Sequence, residues 1–359
     1  MRITDYTVRK LTFSADRPIG DSQIDPVDTF ELAYLELDTD GGERGYGFDN
    51  VNYGTEASLP VETLRAQFEP AGEALVGESP FALLNRMTRP RGGNYGGGTH
   101  DRLVDIALWD LCGKHLGLSV YELMGGENPT VPAYASGLAL PHDDETTRDI
   151  YCRFAERGFD SAKVKVGYPT VEEDIERLSL VEDVLDGFDR LMVDANEAFS
   201  PKEAIRRGRA YRDAGFDVYW FEDPVFREDL DGIRRVVERL PETNVNTGEY
   251  VNLEGKRELL ESGGADVLNI HGLSSAREAA TLAGAYGVPV SLGNTPAEIG
   301  VHSAAALPEV VFMEFSMTGW HTLPERSVTF EDGVAIAPEE PGHGLEFSKA
   351  ALEEYEQTA

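Results

Sequence analysis

From residue 131 to about residue 316 the sequence repeats one pattern, a short apolar run followed by a longer polar stretch with apolar residues at helical spacing. The apolar runs are VPAYASG, SAKVKVG, RLMVDAN, VYWFEDP, NVNTGEY, DVLNIHG, VPVSLGN and VVFMEFS. Between them stand stretches such as VEEDIERLSLVEDVL, PKEAIRRGRAYRDAG and AREAATLAGAYG. Strands separated by helices in this way predict a parallel sheet, because parallel neighbours need a long crossover connection. Eight such units predict a closed barrel rather than an open sheet. A doubly wound fold would also want a glycine-rich phosphate turn after its first strand, and YASGLALP does not supply one.

The residues before this array have another texture. Residues 1–60 read as strands and hairpins, with TFELAYLELDTDGGERGYGF alternating, turning at Gly41-Gly42 and resuming. Residues 62–125 read as helical, with HDRLVDIALWDLCGKHLG at helical spacing. The fold class that follows is α/β: a (β/α)8-type, TIM-like barrel with an α+β capping domain built from the N-terminus and the C-terminal tail. The expected boundaries are 1–130 for the capping domain, 131–323 for the barrel and 324–359 for a segment returning to the cap. That segment holds a hairpin-like stretch, TFEDGVAIAPEEPGHG, expected to pack on the N-terminal domain.

Charge narrows the partners. The 65 Asp and Glu against 32 Lys and Arg leave a formal charge of −33, which repels nucleic acid and anionic membranes. Most of these acids read as a solvated shell of the kind halophiles use. Cys112 and Cys152 stand in no metal or redox spacing, as suits a reducing cytoplasm. MRITDYTVRKLTF lacks the apolar core of a signal peptide, and no run of about 18 apolar residues could span a bilayer. The expectation is a cytoplasmic protein that binds a small molecule.

Against this background the run SAKVKVG stands out. Only seven residues of the chain are lysine, and Lys163 and Lys165 are two of them. Strand geometry points positions two apart to one face. In a barrel of this kind polar residues at the C-terminal strand ends meet at one mouth. Those ends carry Lys163 and Lys165, Asp194 and Asn196, Glu222, Glu249, Asn269 and His271, Gly293 and Asn294, and Glu314. Three carboxylates on consecutive strands, Asp194, Glu222 and Glu249, form an all-oxygen donor set that suits Mg2+. An ammonium beside a second ammonium loses its proton more readily, so Lys165 is expected to act as a base with Lys163 as its depressing neighbour. The plainer alternative is that both lysines neutralise the acids. A base beside a hard divalent ion suits removal of a proton α to a carboxylate. His271 is the titratable group facing Lys165 across the mouth, able near its ordinary pKa to give or take a proton.

These motifs together resemble the enolase superfamily, in its mandelate racemase and muconate lactonising branch. KVK, VDAN, FEDP and TGEY stand on the second to fifth barrel strands. LVDIALWDLCGKHLGLSVYELMGG resembles the family's capping helix, and PGHGLEF its C-terminal close. The resemblance implies Asp194, Glu222 and Glu249 as Mg2+ ligands, Lys165 as the base of a Lys-x-Lys motif with Lys163, and Asn196 as a contact to substrate or metal-bound water. It implies for Glu314 a bond to the substrate carboxylate, and for the assembly a dimer or octamer. Two departures stand out. The racemase-like His–Asp dyad is replaced by His271 where the aspartate is expected and Gly293 where the histidine is, while TGEY keeps the racemase-like glutamate. The capping loops NVNYG (Asn52, Tyr53) and GGNYGGGTH (Asn94, Tyr95, His100) are candidate substrate contacts, and their polarity favours a hydroxylated substrate.

The expected function is therefore Mg2+-dependent α-proton abstraction from a small-molecule carboxylate, as in a sugar-acid (aldonate or aldarate) dehydratase giving a 2-keto-3-deoxy acid. In that reading His271 protonates the departing 3-hydroxyl. A racemase, epimerase or cycloisomerase uses the same residues, and a barrel that binds acids without turning them over stands as a reading of a different class.

Overall fold

The computed structural model describes residues 1–20, 22, 26–52, 60–87, 99–138, 140, 142–293, 297–317 and 326–356. Its first layer is an antiparallel sheet of β1 (Ile3–Ile19), β2 (Val27–Thr39) and β3 (Arg44–Asn52), in that order. Helices α1 (Val61–Leu75), α2 (Pro80–Met87) and α3 (Thr99–Leu116) follow. Leu35 and Leu37 of the sheet are buried in one cluster with Leu64, Phe68, Leu103 and Leu111. Two glycines of GGERGYGF make the close packing of α3 on β3 possible. A Cβ at Gly47 would lie 2.0 Å from the Leu103 carbonyl oxygen, and one at Gly45 2.5 Å from that of Ala107. A short helix, α4 (Val120–Met124), opened by a Ser119–Glu122 capping box, leads into the barrel.

The barrel runs through β4 (Thr130–Ser136), α5 (Asp144–Ala155), β5 (Ala162–Lys165), α6 (Val171–Leu185), β6 (Leu191–Asp194), α7 (Pro201–Asp213) and β7 (Val218–Glu222). It continues through α8 (Leu230–Arg239), β8 (Asn244–Thr247), α9 (Leu253–Ser262), β9 (Val267–Ile270), α10 (Ser274–Tyr286), β10 (Val290–Leu292), α11 (Ala297–Ala306) and β11 (Val310–Ser316). The strands are parallel and in chain order, and β11 pairs with β4 to close the ring. Helix starts are written in the sequence: side chains of Asp143, Thr170, Ser200, Asp229 and Asn252 each accept a backbone N–H of the helix they open. Inside the ring Tyr134, Met192 and Trp220 form their own buried cluster. Each stands two residues before a polar strand-end residue, Ser136, Asp194 or Glu222, so strand alternation puts both on the interior face.

The tail departs from expectation in one respect. The hairpin β12 (Thr329–Glu331) and β13 (Val334–Ile336) adds to the barrel strand β4 and not to the cap. The reason is length: β5 and β11 pair only with Ala133–Ser136, so Thr130–Pro132 present an edge that β13 covers. The return to the cap comes later. The His343 amide donates to Asp110, Phe347 packs edge-on against Tyr34 and Phe48, and α12 (Lys349–Tyr355) precedes a bridge from Glu356 to Leu11. Among the described residues no helix is long and apolar enough to cross a membrane.

Candidate active site

Parallel register sets the site. Lys165 pairs with Asp194, and Asp194 with Glu222, so three strand ends meet at one level. The chain leaves β6 and β7 through left-handed turns at Asn196, Glu197 and Asp223, with φ of 42°, 63° and 34°. These turns bring the next polar groups back over the mouth. Lys165 Nζ donates to Asp194 Oδ2 at 2.6 Å and to the Asn196 side-chain oxygen. Lys163 Nζ lies 2.7 Å from Glu222 Oε1, 2.9 Å from Glu314 Oε1 and 3.3 Å from Asp194 Oδ2. Glu222 also accepts from Trp220 Nε1, Asn246 Nδ2 and Asn269 Nδ2, which fixes both of its oxygens. Lys163, Lys165, Asp194, Asn196, Glu222, Asn269 and Glu314 are thus brought together and buried.

The electrostatics are those of an acid cluster held by too few cations. Burial raises the Glu222 carboxyl well above its usual range against the pull of Lys163, with Asp194 and Glu314 adding to the rise. Glu249, just past β8, is raised to about 7, first by burial, with Asp194 raising it and Lys163 and Lys165 opposing. Asp194 goes the other way, since its two lysines outweigh its burial. Burial works to lower the Lys163 ammonium, but Glu222 and Glu314 lead the neighbours that carry it well above its ordinary value. Lys163, the neighbour expected to depress Lys165, is thus itself held firmly charged by the carboxylates nearest to it.

With every acid ionised, Asp194, Glu222, Glu249 and Glu314 set four carboxylates against two ammonium groups, a formal excess of two negative charges. The donors are hard oxygens, and the excess equals the charge of Mg2+, so this set fits a divalent ion of that class. Among the described residues no three acid, histidine or cysteine side chains converge into a finished cage, because the two ammonium groups engage the carboxylate oxygens.

The facing wall differs more from expectation. His271 follows β9, and its Nδ1 has no hydrogen-bond partner among the described residues. Burial, with Lys256 and Arg102 adding repulsion, lowers its pKa to about 3. It is a neutral imidazole at pH 7 and not the near-neutral acid expected. A Cβ at Gly293 would stand 3.1 Å from the Asn269 side chain, so a side chain at this position would press on Asn269.

Several participants were not foreseen. Asn196 Nδ2 donates to Tyr250 OH at 2.7 Å, and Arg227 lies over the Tyr250 ring at 4.3 Å while pairing with Glu197. Tyr250 stands inside the quoted TGEY, but nothing in its spacing marked it. Lys256, buried on α9, was legible only as another of the scarce lysines. Ser22 Oγ of the cap donates to the Asn196 carbonyl at 2.6 Å. Tyr53, Asn94, Tyr95 and Asn294 lie outside the described residues. Asn52 pairs with Glu31 at the end of β3, and the side chains of Asn52 and His100 also lie outside the description.

Residues 6–125 match the model of the mandelate racemase / muconate lactonizing enzyme N-terminal domain, and residues 147–351 that of the enolase C-terminal domain-like family. Over 326 residues the chain is 32% identical to 3,6-anhydro-alpha-L-galactonate cycloisomerase of Streptomyces coelicolor, covering 88% of this chain and 89% of the relative. A solved structure of a candidate mandelate racemase from Mesorhizobium loti superposes with a TM-score of 0.93 at 37% identity, over 99% of this chain and 95% of that one. The L-talarate dehydratase of Polaromonas sp. JS666, solved with Mg and L-glucarate, superposes at 0.83 with 26% identity, over 99% and 98%.

Proposed function

The chain belongs to the mandelate racemase and muconate lactonizing enzyme branch of the enolase superfamily, and on that premise we propose that it is a magnesium-dependent sugar-acid dehydratase. The observation that carries the reading is the position of Lys165. Its ammonium lies at the mouth between Asp194 and Asn196, beside a Lys163 that is tied to Glu222 and Glu314. Asp194, Glu222 and Glu249 would hold Mg2+, with the Glu222 oxygens oriented by Trp220, Asn246 and Asn269. When bound, the ion takes up the excess carboxylate charge and stabilises negative charge on the substrate carboxylate.

Lys165, having first given up its ammonium proton to solvent, takes the α-proton as the neutral amine, and the C–H electrons pass into the enediolate. Lys163 faces that charge as it develops, held by Glu222 and Glu314. Because His271 is neutral, the departing 3-hydroxyl draws its proton from the Lys165 ammonium just formed, leaves as water, and the enol becomes a 2-keto-3-deoxy acid. His271 steers that hydroxyl by hydrogen bonding from the opposite wall.

A second reading, cycloisomerisation, is favoured by the 32% identical relative, and it shares the Lys165 step. Proton NMR of aldonic, aldaric and anhydro-sugar acids in D2O with Mg2+ tests both. Loss of the α-proton with a new 3-deoxy methylene supports dehydration, whereas α-exchange without that methylene supports isomerisation. Lys165→Ala should abolish exchange, and unchanged turnover in that variant would rule out the assigned base.

The remaining assignments are proposals of the same kind. They are a cap of residues 1–130 completed by the part of the tail that follows the β12–β13 hairpin, the hairpin itself joining the barrel, a cytoplasmic homo-oligomer, and an acidic shell suited to high salt. A melting temperature that rises with KCl would support the last, since salt screens repulsion among 33 net negative charges.

A further inference from the structure

Lys256 lies in the first turns of α9 and is 6% exposed. Its ammonium donates to the carbonyl of Gly248 and, at 2.7 Å, to that of Asn269. These are the backbone groups flanking Glu249 on one strand end and carrying the Asn269 side chain on the next. An ammonium here is costly twice over, since burial strips its water and the first turns of a helix repel positive charge. Stability alone would favour an apolar side chain at this position. Burial lowers its pKa to about 8, against the pull of two nearby acids, Asp223 and Glu249, which hold it up.

The turn it binds is equally specific. Gly248 has φ of 117°, a left-handed value that side chains rarely adopt. A Cβ there would come within 3.0 Å of Leu268 and 3.3 Å of the Asn269 carbonyl oxygen. The glycine lets the chain pass close to β9, and Lys256 then ties the two carbonyls together. Gly248 is the last residue before Glu249, so the carbonyl held by Lys256 belongs to the peptide unit from which Glu249 departs.

Resting on the proposed site, we propose that Lys256 is a positioning residue: by joining Gly248 O to Asn269 O across the β8–β9 seam it sets Glu249 in place for the metal and fixes its distance from Asn269 and His271. Substituting it with methionine keeps the volume and removes the donors. Outer-shell partners of metal sites typically contribute about 10- to 100-fold in affinity.

The test is isothermal titration of the full-length Lys256→Met protein with MgCl2 in the absence of substrate, alongside α-proton exchange in D2O. The expected result is a Mg2+ Kd weakened about tenfold or more, with a lower kcat at saturating Mg2+ and the circular dichroism of wild type. If Lys256→Met does not fold, Lys256→Gln, which keeps an amide donor group but loses the positive charge and the reach of the ammonium, is read by the same criteria. Aminoethylation of Lys256→Cys in the denatured state, in a Cys112→Ala, Cys152→Ser background and followed by refolding, rebuilds a lysine-length ammonium and should restore Mg2+ affinity, a rescue that a merely space-filling role would not require. Wild-type Mg2+ affinity in a folded variant overturns the inference while leaving the site reading intact. Wild-type protein that binds no Mg2+ overturns both.

Discussion

The Asn196 amide is oriented by Tyr250: its Nδ2 donates to the phenol oxygen at 2.7 Å, which leaves its Oδ1 to accept from Lys165. Turned the other way, the amide would present N–H to an ammonium. The phenol is held in turn by Arg227 stacked on its ring. Tyr250→Phe removes the acceptor and keeps the stack. A single hydrogen bond of this kind contributes about 1 kcal/mol, or roughly fivefold in rate if it is felt at the base. The expected outcome is a kcat lowered about fivefold with Mg2+ affinity unchanged, read by steady-state kinetics and calorimetry. An equal loss of metal affinity would place Tyr250 with the ligands instead.

Magnesium should stabilise the fold more as pH rises. Glu249 has its pKa raised from an ordinary 4.5 to about 7, chiefly by burial, and Asp223 is raised to about 8, also chiefly by burial. Between the unfolded and folded values the native protein binds more protons than the unfolded chain. Stability from these groups is therefore present at low pH and lost as pH climbs through about 4 to 8. A divalent ion favours the ionised forms and reverses that loss. The difference in melting temperature with and without MgCl2 should grow from pH 5 to pH 8, and proton release should accompany binding. A difference that shrinks over this range would contradict the assigned ligand set.

The outline of the barrel and its first-strand-end chemistry were legible because both rest on short periods. Alternation by two put Lys163 with Lys165 and Asp194 with Asn196, and one βα unit per step aligned the strand ends. Lys256 was hidden because it reaches the mouth from a helix, seven residues past Glu249, where no strand rule applies. Tyr250 was hidden because its role depends on a left-handed turn at Asn196 that local sequence does not announce. His271 marks a third limit. Position at a strand end indicates where a group points, but its protonation depends on burial and on Lys256 and Arg102, which reach it from α9 and from α3 of the cap.

The cap is pinned to the barrel at Asp105, whose carboxylate accepts the Ser274 backbone N–H at 3.0 Å and takes the Ser274 hydroxyl on its other oxygen. Trp109 Nε1 donates to the same hydroxyl at 3.0 Å. Ser274 opens α10, a helix whose own N-cap, Leu273, offers no side-chain acceptor, so a residue of α3 supplies the cap across the interface. Asp105→Ala leaves these buried donors without an acceptor, costing about 1–3 kcal/mol. A fall of several degrees in melting temperature is expected, together with a raised KM, because the turn secured here begins at His271. Differential scanning calorimetry and initial rates check both, and a wild-type KM would uncouple the joint from the site.

A neutral His271 makes a distinct claim about the pH–rate profile. With its pKa lowered to about 3 by burial and by Lys256 and Arg102, it contributes no ionisation between pH 5 and 8. His271→Asn preserves a hydrogen-bonding side chain but not the imidazole geometry. It should lower kcat by about two- to tenfold, the effect of one neutral hydrogen bond of about 0.5–1.5 kcal/mol. The limbs of the kcat/KM profile should stay where they are in wild type, since other groups set them. Loss of an acidic limb near pH 6 in the variant would mean that His271 titrates in the working enzyme. The departing hydroxyl would then take its proton from His271, and Lys165 would return to the role of base alone.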